Sequence, residues 1–153
     1  MNKRLILFTM VMVVVLSFSL FAVPASAQSD PLICDQFTSG TTEVRVSYYM
    51  GEGMGYFESG NLAAALDSFS CVIDQIDSNY LPAYMSRAAV YTEYRSYDEA
   101  LADYGKAISL DSSFVAAYNN RGIVYAAQTE YDAALADFDH SKLLSSQCSE
   151  HKV

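Results

Sequence analysis

The chain has 153 residues, 52% hydrophobic and only 18% charged, with nine basic residues against eighteen acidic ones. That is room for one small domain, with part of the apolar excess gathered at the N-terminus. A net charge of −9 without a basic stripe excludes the usual electrostatic routes to nucleic acid and to anionic membrane surfaces.

Lys3 and Arg4 form a short positive region, Leu5 to Val23 is an uncharged apolar run, Pro24 breaks it, and Ala25-Ser26-Ala27 is a small-x-small cleavage site. Residues 1–27 therefore read as a cleaved signal peptide, and the protein as exported to a periplasm or secreted. A signal-anchored membrane form is the alternative, because nineteen apolar residues nearly suffice to span a bilayer. Cleavage after Ala27 leaves seven basic against eighteen acidic residues, a net charge of about −11.

Residues 28–42 carry Ser29, Pro31, Ser39 and Gly40 with no clear period and are expected to form an irregular arm. From about Thr41, Val46, Tyr49, Gly53, Tyr56 and Phe57 recur at helical spacing until Glu58-Ser59-Gly60-Asn61. Gly51, Gly53 and Gly55 each lower helix propensity by about 1 kcal/mol relative to alanine, so this helix must rely on packing. Asn61 is placed to cap the next helix, whose apolar face is Leu62, Ala65, Leu66, Phe69, Val72, Ile73 and Ile76.

The scheme then repeats. Asp77-Ser78-Asn79 is a turn, Pro82 falls in a first helical turn, and Ala83 to Glu93 is helical. Ser96 to Glu99 reads as a capping box ahead of Ala100, Leu101, Tyr104, Ala107 and Ile108. A third unit follows Asp111-Ser112-Ser113, running from Phe114 to Ala127, turning at Gln128-Thr129-Glu130, and continuing from Tyr131 to about Leu144. Residues 146–153 are expected to be a polar, helix-poor tail.

Five positions keep register through the three units. They are Tyr118, Gly122, Tyr125, Ala134 and Phe138; Tyr84, Ala88, Tyr91, Ala100 and Tyr104, thirty-four residues earlier; and Tyr49, Gly53, Tyr56, Ala65 and Phe69, thirty-five earlier again. Small residues suit the close approach of the two helices in a unit, and the aromatic ones are bulky enough to reach the next unit. Each unit is too small to bury its own apolar face, so stability must come from stacking.

This pattern resembles the tetratricopeptide repeat, a thirty-four-residue helix-turn-helix with W-x2-L-G-x2-Y, then A-x3-F, then P. Tyr49, Tyr84 and Tyr118 stand at the Trp, while Glu52, Arg87 and Arg121 replace the Leu. The closing Pro is missing, with Asp77, Ser112 and Ser146 near its place. The resemblance implies an all-α, right-handed α-solenoid of three helix-turn-helix units and six antiparallel helices. It would occupy residues 43–145, with repeats at about 46–79, 81–114 and 115–148.

The resemblance also implies binding rather than chemistry: a concave groove, lined by the first helix of each pair, that receives a peptide or partner protein. Carried onto this chain, that face comprises Met50, Met54 and Phe57, then Met85, Ala89 and Glu93, then Asn119, Asn120 and Ile123. Family members that hold chaperone C-terminal carboxylates do so with Lys, Arg and Asn across this groove. The corresponding places here hold Met50, Met54, Ser86, Ala116 and Asn120, which argues against such a ligand. Arg121 has two readings, a structural partner for a nearby carboxylate or a ligand contact. The acidic series on the second helices, including Asp67, Asp74, Asp103, Asp137 and Asp139, reads as a solvated convex face.

Three cysteines leave an odd one out. Cys71 lies in the first unit and Cys148 beyond the third, too far for a bond; Cys34 reaches Cys71 if the arm folds back along the first unit, and three free thiols are the alternative. His140 and His151 have no neighbouring His or Cys at metal-ligand spacing, and no nucleophile elbow, phosphate loop or zinc-protease motif occurs. The expectation is a protein without catalysis, cofactor or metal. Leu143, Leu144 and Phe138 on the last helix lack a following unit, which suggests a second role, self-association into a homo-oligomer or docking into a larger assembly.

Overall fold

A computed structural model describes residue 34 and residues 37–150, with side chains through residue 147. The signal-peptide expectation for residues 1–27, and most of the arm, lie outside the described residues. Among the described residues there are six helices and no strand: α1 Thr42–Glu58, α2 Leu62–Cys71, α3 Leu81–Glu93, α4 Tyr97–Leu110, α5 Val115–Ala127 and α6 Tyr131–Glu150. They pack as successive hairpins, α1 with α2, α3 with α4 and α5 with α6, each leaning on the next. No described helix is long and apolar enough to cross a membrane.

Local chemistry sets the ends. The Thr41 side chain accepts from the Val44 amide and the Asn61 side chain from the Ala64 amide, each satisfying an orphan donor of a first turn. The capping box expected at Ser96 does not form: the Ser96 side chain makes no capping bond, and α4 begins with Asp98 and Glu99 against its positive end instead. The turns without the family's proline close through carboxylates. Asp77 Oδ1 accepts from the Asn79 amide at 2.9 Å, and Asp111 Oδ1 from the Ser113 amide at 2.9 Å. Nor is the described part of the C-terminal tail helix-poor, because α6 runs on to Glu150. Its last turns carry Ser145 and Ser146, whose hydroxyls donate to the carbonyls of Lys142 and Leu143.

The unequal repeat lengths have a structural cause. After Cys71 the backbone opens into a π-turn over Val72–Ile76, with the Asp77 amide bonded to the Val72 carbonyl at 2.8 Å. Phe69 precedes its counterpart Tyr104 by thirty-five residues, but Asp77 precedes Asp111 by thirty-four. The additional residue of the first unit is therefore taken up between Phe69 and Asp77, where the wider turn accommodates it without shifting either neighbour.

The core runs the length of the stack. Tyr49, Tyr84, Val72, Ile73, Ala83, Ala107 and Ala117 form one cluster spanning all three hairpins. Within a hairpin the contact is an aromatic edge against a small residue: a methyl at Gly53 would stand 2.5 Å from Phe69 Cε1, and one at Gly122 2.7 Å from Phe138 Cε1. The ring edge thus occupies the space a side chain would need. At the N-terminal end Cys34 and Phe37 pack against the first hairpin. A Cys34–Cys71 disulfide, Cα to Cα 5.3 Å, closes a loop of sequence separation 37, which on the chain-entropy account contributes about 4 kcal/mol. Buried Tyr49 reinforces it, its hydroxyl donating to the Cys34 carbonyl at 2.7 Å and accepting from the Phe37 amide at 3.1 Å.

The two glycine contacts differ in what can yield. Phe69 is 1% exposed, whereas Phe138 is 36% exposed and free to swing outward. Gly53→Ala should therefore lower stability by about 1–2 kcal/mol, overpacking outweighing the gain of about 1 kcal/mol in helix propensity. Gly122→Ala should come out near neutral. Urea unfolding of the two variants followed by circular dichroism checks the order.

Candidate functional site

The first helices of the three hairpins, α1, α3 and α5, face one another across two adjoining recesses. One, of about 180 Å³, is lined by Met54, Phe57, Phe69, Met85, Ser86, Ala89 and Asn120. The other, of about 210 Å³, is lined by Phe57, Ala89, Thr92, Glu93, Tyr104, Asn120 and Ile123. Phe57, Ala89 and Asn120 belong to both, so the two form a continuous shallow groove. Each recess is smaller than a usual small-molecule pocket, of the scale that takes single side chains.

Most of the residues expected on this face are brought together here, namely Met54, Phe57, Met85, Ala89, Glu93, Asn120 and Ile123. Two are not. Met50 is half-buried and packs into two core clusters, filling the space between the first hairpin's helices. Asn119 turns toward α6, where its Oδ1 accepts from the Ser141 hydroxyl at 2.7 Å. Ser86, already placed across the groove by the resemblance, lines it as well, and three contributors were missed: Thr92 on α3 and the rings of Phe69 and Tyr104 from the second helices. The ring positions were visible as wedge residues, but their floor role follows from the small residues in front of them, Gly53 and Ala88.

Tyr104 supplies the polar centre of the floor. Burial pushes its phenol above the ordinary pKa, while hydrogen bonds with Thr92 and Asn120 pull the other way. The net shift is upward, so the hydroxyl stays neutral at physiological pH.

The arginines at the family's leucine position point away from the groove. Arg87 Nε and Nη2 bind Asp103 at 2.7 and 2.9 Å, and its Nη1 donates to Ser70 at 3.1 Å, tying α3 to α4 and α2. Arg121 makes the same fork to Asp137, both bonds at 2.7 Å. Each guanidinium also lies beside the two tyrosine rings of its own helix, Arg87 at 5.8 and 6.0 Å from Tyr84 and Tyr91, Arg121 at 5.6 and 5.9 Å from Tyr118 and Tyr125. Hydrogen bonding to its aspartate raises each arginine above its usual pKa, against the opposing effect of burial. Two of the five acidic residues read as a solvated convex face are therefore corrected: Asp103 and Asp137 are 5% and 6% exposed and hold buried ion pairs.

These are hairpins whose small-residue contacts, aromatic wedges and inner groove recur at the spacing already described. Residues 96–129 match the sequence model of the TPR repeat, which frames α4 and α5. No curated protein matches. Among solved structures, the TPR2B domain of yeast Sti1 in complex with pHsp70 is similar at 27% identity, over 71% of this chain and 86% of that one, TM-score 0.66. The Arabidopsis OM64 TPR domain is similar at 26% identity, 71% and 88% coverage, TM-score 0.65. The second TPR domain of human RPAP3, in complex with the HSP70 peptide SGPTIEEVD, is similar at 26% identity, 67% and 85% coverage, TM-score 0.63.

Residues 96–129 are a tetratricopeptide repeat, and the six helices have the fold of a tetratricopeptide solenoid. The chain's departures from the motif make sense within that fold: where leucine usually packs, a guanidinium lies beside two tyrosine rings and forks onto an aspartate of the partner helix. Asp103→Asn should then cost about 2–4 kcal/mol, since it leaves a largely buried arginine without its counter-charge. The double variant Arg87→Leu/Asp103→Leu should recover most of that loss. Urea midpoints of the single and double variants provide the check.

Proposed function

We propose that this protein is an exported protein-interaction module that seats a peptide segment of its partner in the groove between α1, α3 and α5 and performs no chemistry itself. The observation that carries the reading is the groove lining, where Met54, Phe57, Met85, Ala89 and Ile123 present apolar surface around three neutral polar groups, Asn120, Thr92 and the Tyr104 hydroxyl. Adaptable methionine side chains accept varied apolar guests, and the neutral groups bond to an extended backbone. The likeness to an RPAP3 domain in complex with an HSP70 peptide supports a peptide as guest. The groove lacks the basic residues that would hold an acidic C-terminal tail, so the guest is of another kind.

Export rests on the N-terminal sequence, and the Cys34–Cys71 disulfide supports it, since such bonds persist in oxidising compartments. A second role has its own observation. Tyr131, Leu135, Phe138 and Leu143 on α6 are 67%, 60%, 36% and 54% exposed, and Tyr131, Leu135 and Phe138 form an apolar stripe that no described element covers.

Binding of a fluorescent random-sequence peptide pool, read by anisotropy, tests the groove. Met54→Glu and Asn120→Ala should each weaken it at least about fivefold, as loss of a central contact does, while Asn119→Ala should leave it unchanged. Equal binding by all three variants would overturn the groove reading. Light scattering tests the α6 stripe: a dimer at micromolar concentration that Leu135→Glu dissociates supports it, and a monomer removes it.

A further inference from the structure

The groove is not electrically uniform along its length. Helices α1, α3 and α5 run parallel, so their C-terminal ends, whose last carbonyls are capped by turn amides but which carry the partial negative charge of the helix dipole, meet at one end of it. None of the three carries a basic residue in its last turn to offset that charge. Glu58 and Glu93 close α1 and α3 at this end, and Glu93 lines the recess there. The hairpin turns at the same end add acidic residues from the starts of the second helices. Asp98 accepts from Gln128 Nε2 at 3.1 Å, which places the α4 start beside the α5–α6 turn with its Glu130 and Asp132. Among the described residues, Arg95 is the basic residue of this end. Arg87 and Arg121 cannot contribute, because both are committed to buried aspartates on the side away from the groove. The apolar half of the groove, around Met54, Met85 and Phe69, lies toward the middle of the helices; the half with Glu93 lies at the electronegative end.

An apolar side chain therefore finds its place in the inner recess, and a group reaching past it toward Phe57 and Ile123 meets the Glu93 carboxylate and the helix C-termini, with Arg95 as the one basic residue at that end among the described residues. We infer that the guest is an apolar peptide segment bearing a lysine or arginine, seated with the basic side chain over the Phe57–Glu93–Ile123 recess. This rests on the groove reading above and adds the sign of the charge it selects. An acidic guest is repelled at that end, and a neutral one leaves the charge there unanswered. The aliphatic stem of a lysine or arginine also suits the recess, lying against the Phe57 ring while its head stays hydrated beside Glu93.

The test uses the native, oxidised protein and matched fluorescent peptides that share leucine and methionine positions and differ only in carrying lysine, glutamine or glutamate at the remaining sites. The lysine peptide should bind about threefold to tenfold more tightly than the glutamine peptide at low salt. High salt should shrink the preference. Glu93→Gln should abolish most of it and Glu93→Lys reverse it, while Asp139→Asn, an exposed carboxylate on the far helix, should leave it intact. If all three peptides bind equally and Met54→Glu still weakens them, the charge inference is overturned and the groove reading stands. A preference that survives Glu93→Lys, or one for glutamate, overturns it too. If no peptide binds, the groove reading fails and takes this inference with it.

Discussion

One contact governs this protein, an aromatic edge set against a residue too small to have a side chain worth the name. Phe69 lies against Gly53 and Phe138 against Gly122, closely enough that even a methyl at either glycine would collide. Tyr104 shares a core cluster with Ala88 in the middle hairpin. The contact brings the helices of a hairpin together, yet it leaves the far side of each ring needing cover, and only the next hairpin can supply it. The exposures fit this: 1% for Phe69 and 3% for Tyr104, each covered by the next hairpin, and 36% for Phe138 on the last described helix. Stability is thus shared between neighbours rather than held by any unit.

The two ends of the stack meet that requirement differently. Against the N-terminal hairpin Cys34 and Phe37 are held by a disulfide to Cys71 and by the Tyr49 hydroxyl, which engages both. Tyr49 is the aromatic that, in later hairpins, turns its hydroxyl elsewhere; Tyr84 donates to the Ser78 carbonyl of the preceding turn. One sequence position thus serves as inter-hairpin packing in the interior and as an anchor at the boundary. At the other end α6 is lengthened to Glu150 but remains a single helix, and its outer stripe stays open.

The stacking was legible in the sequence because its determinants are periodic: five positions repeat, and each repeats for the same steric reason. The departures were less legible because they are pairwise. An arginine at the leucine position and an aspartate sixteen residues later announce nothing separately, and the aspartate falls on a helix whose neighbours at Asp67, Asp74 and Asp139 suggest a solvated surface. Only the hairpin geometry brings the fork onto its carboxylate. Likewise Asn119 and Asn120 are adjacent in sequence, but one helical step separates a residue that reaches Ser141 from one that lines the groove. The single additional residue of the first repeat showed in the spacing, and the π-turn before Asp77 is where the backbone absorbs it.

The buried ion pairs also explain why the groove is neutral to acidic. In a chain with twice as many acidic as basic residues, cations are scarce, and of the three arginines on first helices Arg45 lies in the first turn of α1, while Arg87 and Arg121 sit at mid-helix beside the groove. The latter two are turned to the opposite side, each held by two hydrogen bonds to an aspartate and flanked by two tyrosine rings. To swing one into the groove would strand a buried carboxylate, a cost of several kcal/mol that an exposed contact with a guest does not repay. Structure and the charge of the groove are therefore coupled. The ties that fasten first helix to second in the middle and last hairpins are the same ties that keep these two positive charges out of the groove. A chain with leucine at both positions and neutral residues in place of both aspartates would keep the fold, and the electronegative end of its groove would still be set by helix termini and Glu93.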